Sequence, residues 1–557
     1  MDAIWYDREP RYPVAGGSVV DGWPAAVASL PATPFTLALD GPANLPWDAV
    51  ITTLTSTFVD RDVTVLDTRE AYAPWHTIVA RTESDPLTGD PHFAKLPAAG
   101  LADLFREPLA PPAGTDVRIV CGPGAALAAT DLLWYADIPK RYAEADIAAG
   151  RGVNLGTENA TLRRLFFVDW PILDAHRDAI APRIDRWIDL QEGMRSISGD
   201  ALRESLAVLA TSPVRTRPYF NSTPWGGHWA QRELGFSPDA TNTALGYELI
   251  APESGILLGN SATAQVEVPF QLLVVLHPDE VMGAARPDFG TSFPIRFDYL
   301  DTDGGDNLSL HCHPKERYMR EVFGWPYTQH ETYYLVHGSE GSRVFLGLRS
   351  DVDTEVFRKQ VERAVTRAEP VEVTEHVQTF PAEPGQLFMI PAGTPHASGA
   401  GNVVLEISAT PYLYSLRFYD WLRLGLDGKP RPLPYEHGFA NLETERIGRR
   451  VGEELVQRPR QVAGGDGWSE LVVGALDEMF YEVRRLEIAP SHAAKQDTAG
   501  HFHVLNVTAG AAVVIETATR THRLARAETL VVPAAVGPYE VRVIGDEPVH
   551  VVKAWVP

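Results

Sequence analysis

The sequence predicts a doubly wound α/β domain followed by an all-β region. Strand-like apolar runs alternate with helical patterns up to about residue 212, an alternation that is typical of a parallel sheet covered by helices on both faces. Short strands separated by turn signals fill the rest of the chain and restart near residue 456. In this region, three strands carry histidines and one glutamate at a spacing that suits a metal ion, which indicates a chemical function.

Residues 1–212 account for the α/β part. PFTLALD is an apolar strand followed by a Gly-Pro turn and a helix, and DVRIVCGPGAALAATDLLWYADIP contains two strands of the type buried in a parallel sheet. RYAEADIAAGRG and WPILDAHRDAIAPRIDRWIDL have helical patterns. A last helix, capped by Ser198, precedes a proline-bearing linker and ends the predicted domain.

This part resembles the nucleoside-kinase type of phosphate-binding domain, with LALDGP at the position of the phosphate loop. A working loop has the pattern Gly-x-x-x-x-Gly-Lys-Ser/Thr, in which backbone N–H groups and a lysine hold the phosphates. DGPANLPWDAV lacks the second glycine, the lysine and the hydroxyl, and Pro46 removes a further donor. The resemblance implies a P-loop-kinase-like domain without kinase activity, whose role would be dimerisation, allosteric binding of a nucleotide-like ligand, or scaffolding.

Four residues form a candidate set of metal ligands. In LSLHCHP, His311 and His313 lie two positions apart on a strand and therefore project to the same face, while Cys312 points away. Glu331 opens the strand ETYYLVHG, and His396 follows the turn in LFMIPAGTPHASG. A lone His-x-His pair is usually unremarkable, but three imidazoles and a carboxylate suit a first-row divalent metal. We therefore expect these strands to deliver four ligands into one cavity.

At these residues the chain resembles the class I phosphomannose isomerases, which are cupins. The family pattern is Leu-Ser-x-Gln-x-His-Pro, then Glu before aromatic residues, then Pro-Ala-Gly-x-x-His; LSLHCHP, HETYYL and IPAGTPHA stand here in that order. PYFNSTPWGGHW at 218–229 and the segment 405–433 extend the resemblance to roughly 215–557. It implies two double-stranded β-helix barrels: a metal-binding barrel with an inserted helix at 213–455 and a second barrel without a metal site at 456–557.

The resemblance also implies an activity, the metal-dependent aldose–ketose isomerisation of a hexose phosphate such as mannose 6-phosphate, or of a related sugar, through an enediol. The proton-transfer carboxylate of the family falls on Glu406 and its catalytic arginine on Arg417. Candidate substrate-binding residues are Ser309, Lys315, Gln329 and Arg296.

Several positions depart from the family pattern. The first ligand of the family is Gln and here is His311, while two lysines of the family fall on Gln329 and Asp298. Arg296 lies two residues before Asp298 on the same strand face, the acidic residue after His-Pro is Lys315, and SATPYLY lacks the expected Ser-Asp pair. These changes keep the ligand set and alter the pocket lining. We therefore expect zinc, with manganese, iron or nickel as alternatives, and leave the sugar and its phosphorylation open.

Two other functions stay open. Three histidines and one glutamate also suit iron, so a cupin metalloenzyme of another class, such as an oxygenase or an epimerase, is one alternative. A non-catalytic sugar-sensing protein is the other. A second His-x-His pair, His501 and His503 in HFHVLN, lacks a matching glutamate, and VVPAAVGPYEV has no histidine where IPAGTPHA has one. We interpret these two histidines as structural or surface groups.

An amphipathic helix is predicted inside the first barrel. DTEVFRKQVERAVTRAEP places Val356, Val361 and Val365 at helical spacing. The region 434–470 is polar and glycine-rich near its end, and we interpret it as the link between the barrels.

Composition limits the remaining choices. At 557 residues the chain is too long for a single core, so two or three domains are expected. The net charge of −24 argues against binding to nucleic acid or to an anionic membrane. Cys121 and Cys312 lie far apart, MDAIWYDREP shows no apolar signal region, and no segment approaches the apolar length of a membrane span. We expect a cytoplasmic protein whose partner is a small sugar or sugar phosphate, and a homodimer is left open.

Overall fold

The computed structural model describes residues 6–557. Residues 1–5, the first half of the charged MDAIWYDREP segment, lie outside the described residues. The part of the chain that is described begins with an α/β sheet and continues with two pairs of facing β-sheets. Within these residues no helix has the length and the apolar character that are needed to cross a membrane.

The N-terminal part alternates strands and helices. Its strands are β1 Arg11–Tyr12, β2 Val20–Asp21, β3 Phe35–Asp40, β4 Val63–Asp67, β5 Val117–Cys121, β6 Leu132–Asp137, β7 Arg186–Asp189 and β8 Arg195–Ser198. Its helices are α1 Trp23–Val27, α2 Trp47–Ser56, α3 Trp75–Thr82, α4 Lys140–Ala148, α5 Leu162–Arg164, α6 Trp170–Ile180 and α7 Gly199–Leu209.

Strand β3 lies at the centre of the five parallel strands of the N-terminal sheet. It pairs in parallel with β5 on one side and with β6 on the other, β4 and β7 extend the parallel set, and β8 and β2 add an antiparallel edge. Leu37 and Leu39 pack in one apolar layer, whereas Ala38 between them packs in the layer on the opposite face. Because both faces are buried, the strands are continuous apolar runs, as in doubly wound sheets.

Two local predictions for this part have different outcomes. Ser198 caps α7 as predicted, since its hydroxyl accepts a hydrogen bond from the N–H of Ala201 at 3.2 Å. The helix predicted over WPILDAHRDAIAPRIDRWIDL is too long: α6 ends at Ile180, and a short 3₁₀ turn leads into the buried strand β7. Pro182 explains the difference, because proline lacks the N–H that would continue the α-helix.

The first pair of sheets occupies the middle of the chain. The strands of this region, including the hairpin β11–β12 that forms a separate sheet with β1, are β9 Tyr219–Asn221, β10 Leu245–Leu249, β11 Gly255–Ser261, β12 Ala264–Pro269, β13 Ile295–Asp301, β14 Leu310–Cys312, β15 Glu331–Gly338, β16 Arg343–Leu348, β17 Val377–Pro381, β18 Leu387–Ile390, β19 His396–Ser398, β20 Asn402–Ala409 and β21 Leu416–Tyr419. Its helices are α8 Trp229–Glu233, α9 Phe270–Leu276, α10 Pro278–Met282, α11 Arg286–Phe289, α12 Glu316–Tyr318, α13 Thr354–Arg367, α14 Val373–His376, α15 Tyr435–Asn441 and α16 Arg449–Leu455. One sheet has the order β18-β15-β20-β13-β10-β9, and the other has the order β17-β16-β19-β14-β21.

The inserted helix forms as predicted, but with a different buried face. Helix α13 buries Phe357, Val361 and Ala364, whereas Val356 and Val365 are exposed. Phe357 stacks on the ring of His376. The burial of one aromatic ring therefore sets the helix rotation, and Val361 is the residue that the predicted and observed faces share.

The second pair of sheets ends the chain. Its strands are β22 Arg460–Gly465, β23 Trp468–Gly474, β24 Glu482–Ile488, β25 Ala493–Asp497, β26 His503–Ala509, β27 Ala512–Thr517, β28 Thr521–Ala525, β29 Thr529–Val532, β30 Pro538–Ile544 and β31 Val549–Trp555. One sheet has the order β22-β23-β24-β31-β26-β29, and the other has the order β25-β30-β27-β28. Leu505 from the first sheet and Ile515 from the second lie in one apolar core between them.

The N-terminal part is fastened to the first pair of sheets by a hairpin. Strands β11 and β12 lie between β10 and β13 in the chain, and β1 pairs in parallel with β11. Glu267 on β12 is buried and accepts hydrogen bonds from Arg217 at 2.9 Å and from Gln191 at 3.0 Å. Its backbone carbonyl accepts a hydrogen bond from the indole of Trp187 at 2.9 Å. The hairpin thus packs on the edge of the N-terminal sheet.

Arg215, in the linker, connects three distant parts of the chain. Its side chain is 1% exposed and lies 3.1 Å from Glu528 and 3.9 Å from Glu248 on β10. Its backbone N–H donates to the hydroxyl of Tyr12 at 2.6 Å, and the hydroxyl of Tyr6 donates to Glu248. A fully buried guanidinium therefore compensates two buried carboxylates.

We predict that Arg215→Met lowers the free energy of unfolding by about 3–5 kcal/mol, because it leaves the charges of Glu528 and Glu248 buried without a cation. Urea unfolding followed by tryptophan fluorescence measures the change. Arg317→Met is the matched control, because Arg317 forms an exposed pair with Glu321. Equal stability of the two variants would contradict this account of the linker.

Candidate metal centre

The four predicted ligands lie between the facing sheets of the first pair. His311 on β14 and His396, the first residue of β19, are register partners in one sheet, and His313 follows β14 directly. Glu331 is the first residue of β15 in the opposite sheet. The turn before His396 contains Gly393 at φ +89°, whose N–H donates to the carbonyl of His313 at 2.9 Å. The turn and the strand register therefore bring the side chains together.

The potential ligand atoms of these four residues all lie within 4.8 Å of one another. Nε2 of His396 is 3.1 Å from a carboxylate oxygen of Glu331, and Nε2 of His313 contacts the same oxygen. All four side chains are buried, with His311 the most accessible at 6%. A single point between these atoms is therefore within reach of three nitrogens and one oxygen.

Backbone carbonyls orient the imidazole rings. Nδ1 of His311 lies 2.8 Å from the carbonyl of Ser309, and Nδ1 of His396 lies 2.8 Å from the carbonyl of Thr394. When Nδ1 carries the proton that these carbonyls accept, the lone pair of Nε2 is free and directed to the centre. Outer hydrogen bonds of this kind are typical of histidines that bind metals.

The electrostatics of the centre favour the ligand forms of its residues. Burial lowers the pKa of His311 well below its usual value, and the neighbouring imidazoles lower it further. Burial also lowers the pKa of His313. For Glu331, burial raises the pKa, but His396 and His313 outweigh that effect and hold it well below the usual value. Neutral imidazoles and an ionised carboxylate are the forms that bind a divalent metal, so the residues fit such an ion.

A cavity of about 500 Å³ opens beside the centre and includes His311 in its wall. The barrel residues that line it include Arg296, Asp298, Ser309, Glu406, Tyr412, Arg417 and Arg431. Residues 91–93 and Leu162, Arg163, Phe166 and Phe167 of the N-terminal part also line it. A small polar molecule in this cavity would lie against the candidate metal ligands.

Glu406 lies on β20 in this cavity, beside two other charged groups. Its carboxylate accepts a hydrogen bond from Ser408 at 2.8 Å and contacts the guanidinium of Arg296. Burial raises the pKa of Glu406 well above its usual value, against the opposing effect of Arg296. Burial likewise raises the pKa of Asp298 to about 7, and the carboxylate oxygens of Asp298 have no hydrogen-bond partner among the described residues. The cavity thus contains two carboxyl groups whose raised pKa values make them hold a proton more readily than exposed carboxyl groups do.

Arg417 lies opposite His311 on the neighbouring strand β21. Its guanidinium has neither a hydrogen bond nor an ion pair within residues 6–557, although it lines the cavity. Burial, with the charge of Arg431, lowers the pKa of Arg417 to about 10, so the group stays cationic at neutral pH. An unpaired cation beside the centre is available to an anionic or partly negative oxygen.

Of the other predicted residues, Ser309 lies in the cavity wall and Gln329 lies behind it. Ser309 lines the cavity and donates to Asp420 at 2.7 Å. Gln329 is buried behind the wall: with its amide turned to match its neighbours, it donates to the carbonyl of Pro411 at 2.8 Å and accepts from Arg296 at 3.0 Å.

Lys315 does not line this cavity in the described structure. It is half-exposed and pairs with Glu443 at 3.1 Å. It therefore lies apart from Ser309 and Arg296, and its predicted contact with substrate has no support in the geometry.

Sequence reasoning missed His92, Phe93 and Arg431 as cavity residues. Arg431 lies near the end of the segment 405–433 and is 2.6 Å from Asp420. No local pattern marks PHF at 91–93, because its position depends on how the N-terminal part packs against the barrel.

The second His-x-His pair makes other contacts. Nδ1 of His501 lies 2.8 Å from the carbonyl of Val556, and Nδ1 of His503 lies 2.8 Å from the hydroxyl of Tyr539.

Comparison with known proteins separates the two parts of the chain. A family model described as a domain of unknown function (DUF8485) matches residues 22–211. Mannose-6-phosphate isomerase ManA of Bacillus subtilis is 24% identical over 245 residues, which are 43% of this chain and 71% of the relative. Mannose-6-phosphate isomerase of Streptococcus mutans is 28% identical over 235 residues, which are 41% of this chain and 66% of the relative.

Solved structures of the same name align with 62% of the chain. The mannose 6-phosphate isomerase of Bacillus subtilis is 18% identical, with 99% of that chain covered and a TM-score of 0.49. A zinc-bound mannose 6-phosphate isomerase is 14% identical, with 99% of that chain covered and a TM-score of 0.46. The kinase likeness of the N-terminal part stays a prediction. The C-terminal part of the chain is homologous to the mannose-6-phosphate isomerases, at modest identity, and the resemblance identified in its sequence is confirmed.

Proposed function

We propose that the protein is a metal-dependent aldose–ketose isomerase that acts on a phosphorylated hexose such as mannose 6-phosphate. The proposal rests on one cavity that is lined by Glu406, by Arg417, which has no ion pair within residues 6–557, and by His311, one of four buried candidate metal ligands. Homology to enzymes named mannose-6-phosphate isomerases supports the same class of reaction.

In this proposal His311, His313, Glu331 and His396 hold one divalent ion, for which zinc is the first choice. A bound ion of this kind polarises the oxygens of the sugar and lowers the energy of an enediolate. The lowered pKa values of His311 and His313 favour neutral imidazoles, and the lowered pKa of Glu331 favours its carboxylate; these are the forms that bind such an ion.

Glu406 is proposed to transfer the proton between the two reacting carbons. It takes the proton from C2 of the aldose and returns it to C1, while the hydroxyl proton moves from O2 to O1, and the product is the ketose. Burial raises the pKa of Glu406, so its carboxylate is a stronger base than an exposed one, and contact with Arg296 keeps an ionised fraction available. Ser408 fixes the carboxylate by donating to it at 2.8 Å.

Arg417 is proposed to stabilise the negative charge that develops on the sugar oxygen. Its guanidinium forms no ion pair within residues 6–557, and it stays protonated because its pKa of about 10 lies above neutral pH. A fixed cation in a partly enclosed cavity is more effective than the same charge in bulk solvent. Ser309 and Arg296 are the remaining candidate contacts to the sugar.

We further propose that the N-terminal part has no phosphoryl-transfer activity. In open α/β sheets, ligands bind at the carboxyl ends of the central strands. Here the carboxylate of Asp40, at the end of β3, accepts hydrogen bonds from the N–H groups of Gly41, Gly124 and Ala126 at 2.7–3.0 Å. His176 adds a fourth contact at 2.8 Å. A fixed carboxylate thus uses the donors that an anion would need.

We predict that substituting a ligand removes the metal without unfolding the barrel. His396→Ala should reduce the bound metal from about one ion per chain to a small fraction, with affinity lowered by more than about 100-fold, because loss of even an outer partner costs 10–100-fold. Elemental analysis of protein purified without added metal measures this. His501→Ala is the control, and equal metal content in the two variants would contradict the assigned ligand set.

We predict that Glu406→Gln lowers turnover of mannose 6-phosphate by about 10²–10⁴-fold, the usual contribution of a positioned acid or base. Metal content should stay unchanged, since Gln keeps the shape of the side chain. Glu516→Gln, a half-exposed residue of the second barrel paired with Arg542, is the control. Unchanged turnover in Glu406→Gln would remove this carboxylate from the mechanism, and oxygen uptake by the wild type would favour an oxygenase.

We predict that isothermal titration of the full chain with ATP and magnesium shows no saturable heat. The negative charge of Asp40 and the lack of a lysine in the loop after β3 oppose binding of a polyphosphate. Saturable binding would contradict the proposal for the N-terminal part and restore a nucleotide-binding role.

A further inference from the structure

We propose that the N-terminal part completes the substrate cavity and that His92 is a substrate-binding residue supplied by it. This inference rests on the isomerase function proposed above and extends it to a part of the chain for which the matching family model gives no function. It assigns the N-terminal part a role in binding a sugar phosphate.

The wall of the cavity is built from both parts of the chain. Residues 91–93 form one side of it, next to Phe166 and Phe167. Arg417 and Glu406 of the barrel line the same space. A ligand that reaches these two barrel groups therefore lies in a space partly enclosed by the N-terminal part.

An aromatic contact holds the 90–96 loop on the barrel. The ring of Phe93 is 4% exposed and packs against Phe323, His437 and Tyr414, with ring centroids 5.1, 5.3 and 6.0 Å away. Three of these four rings belong to the barrel and its flanking helices. Burial of an aromatic side chain of this size gives the loop one fixed position.

Polar contacts add to this attachment. Nε2 of His437 lies 2.9 Å from the carboxylate of Asp90, and Nδ1 of the same ring lies 2.7 Å from the hydroxyl of Tyr318. The N–H of Leu96 donates to the carbonyl of Phe323 at 2.8 Å. The loop is therefore fixed on the barrel at both ends.

His92 is held between these two attachments. Its backbone N–H donates to Asp90 at 2.8 Å, and its half-buried side chain lines the cavity. The ring nitrogens have no hydrogen-bond partner in residues 6–557. Burial lowers the pKa of His92; Asp90 opposes this effect, and His437 and Arg417 add to it. A neutral imidazole in a fixed position offers one donor and one acceptor to a sugar or phosphoryl oxygen.

Arg163 supports the loop and leaves His92 as the available group. Its guanidinium donates to the carbonyl of Phe93 at 2.9 Å and pairs with Glu83 at 2.9 Å. These two contacts occupy hydrogen-bond donors of the guanidinium that a ligand would otherwise need. Arg163 is therefore a positioning residue for the loop, and His92 is the polar side chain of this wall with free hydrogen-bonding capacity.

The test is steady-state kinetics of the full, metal-loaded chain with mannose 6-phosphate. His92→Ala should raise KM about threefold to tenfold, the value of one neutral hydrogen bond, and change kcat less than about twofold. His92→Gln, which keeps a donor and an acceptor, should restore part of the loss. The control is His76→Ala, on an exposed face of α3 in the same part.

The outcomes separate this inference from the function on which it rests. Turnover by the wild type with unchanged KM in His92→Ala overturns the inference and leaves the isomerase proposal intact. If the wild type has no turnover, the isomerase proposal fails, and calorimetric titration with mannose 6-phosphate decides: weaker binding by His92→Ala supports the role of His92. Equal binding by both proteins, or no binding by the wild type, overturns it.

Discussion

The central constraint is the convergence of three imidazoles on the carboxylate of one residue between two facing sheets. Glu331 contacts His313 and His396 in a buried site, and a buried carboxylate is unfavourable unless hydrogen bonds or a cation compensate its charge. Strand register fixes the arrangement, because His311 and His396 are direct partners and Glu331 opens a strand of the opposite sheet. The cavity opens beside this centre, with His311 in its wall.

The N-terminal part is integrated with the barrels rather than tethered to them. The hairpin β11–β12 packs on its sheet edge, Arg215 is buried among groups from three regions, and Phe93 is inserted among aromatic rings next to the cavity. These contacts have a functional consequence if the cavity binds a sugar phosphate, because the size and polarity of the site then depend on both parts.

Local patterns in the sequence were sufficient to predict the four candidate ligands and the order of strands and helices. The two-residue spacing of His311 and His313 places them on the same face of any strand. The glycine and prolines before His396 predict the turn that precedes it. Packing decided the rest: Phe357 rather than Val356 sets the face of α13, and Lys315 pairs with Glu443 away from the cavity. The sequence did not predict His92 as a cavity residue, because only the packing of the N-terminal part against the barrel brings it to the cavity.

X-ray absorption at the zinc edge of the zinc-loaded protein identifies the atoms that bind the ion. We expect a first shell of nitrogen and oxygen at about 2.0–2.2 Å, with the outer-shell scattering of three imidazole rings. His396→Ala should reduce the number of rings. A spectrum without imidazole scattering, or with sulfur at about 2.3 Å, would place the ion elsewhere and contradict the account.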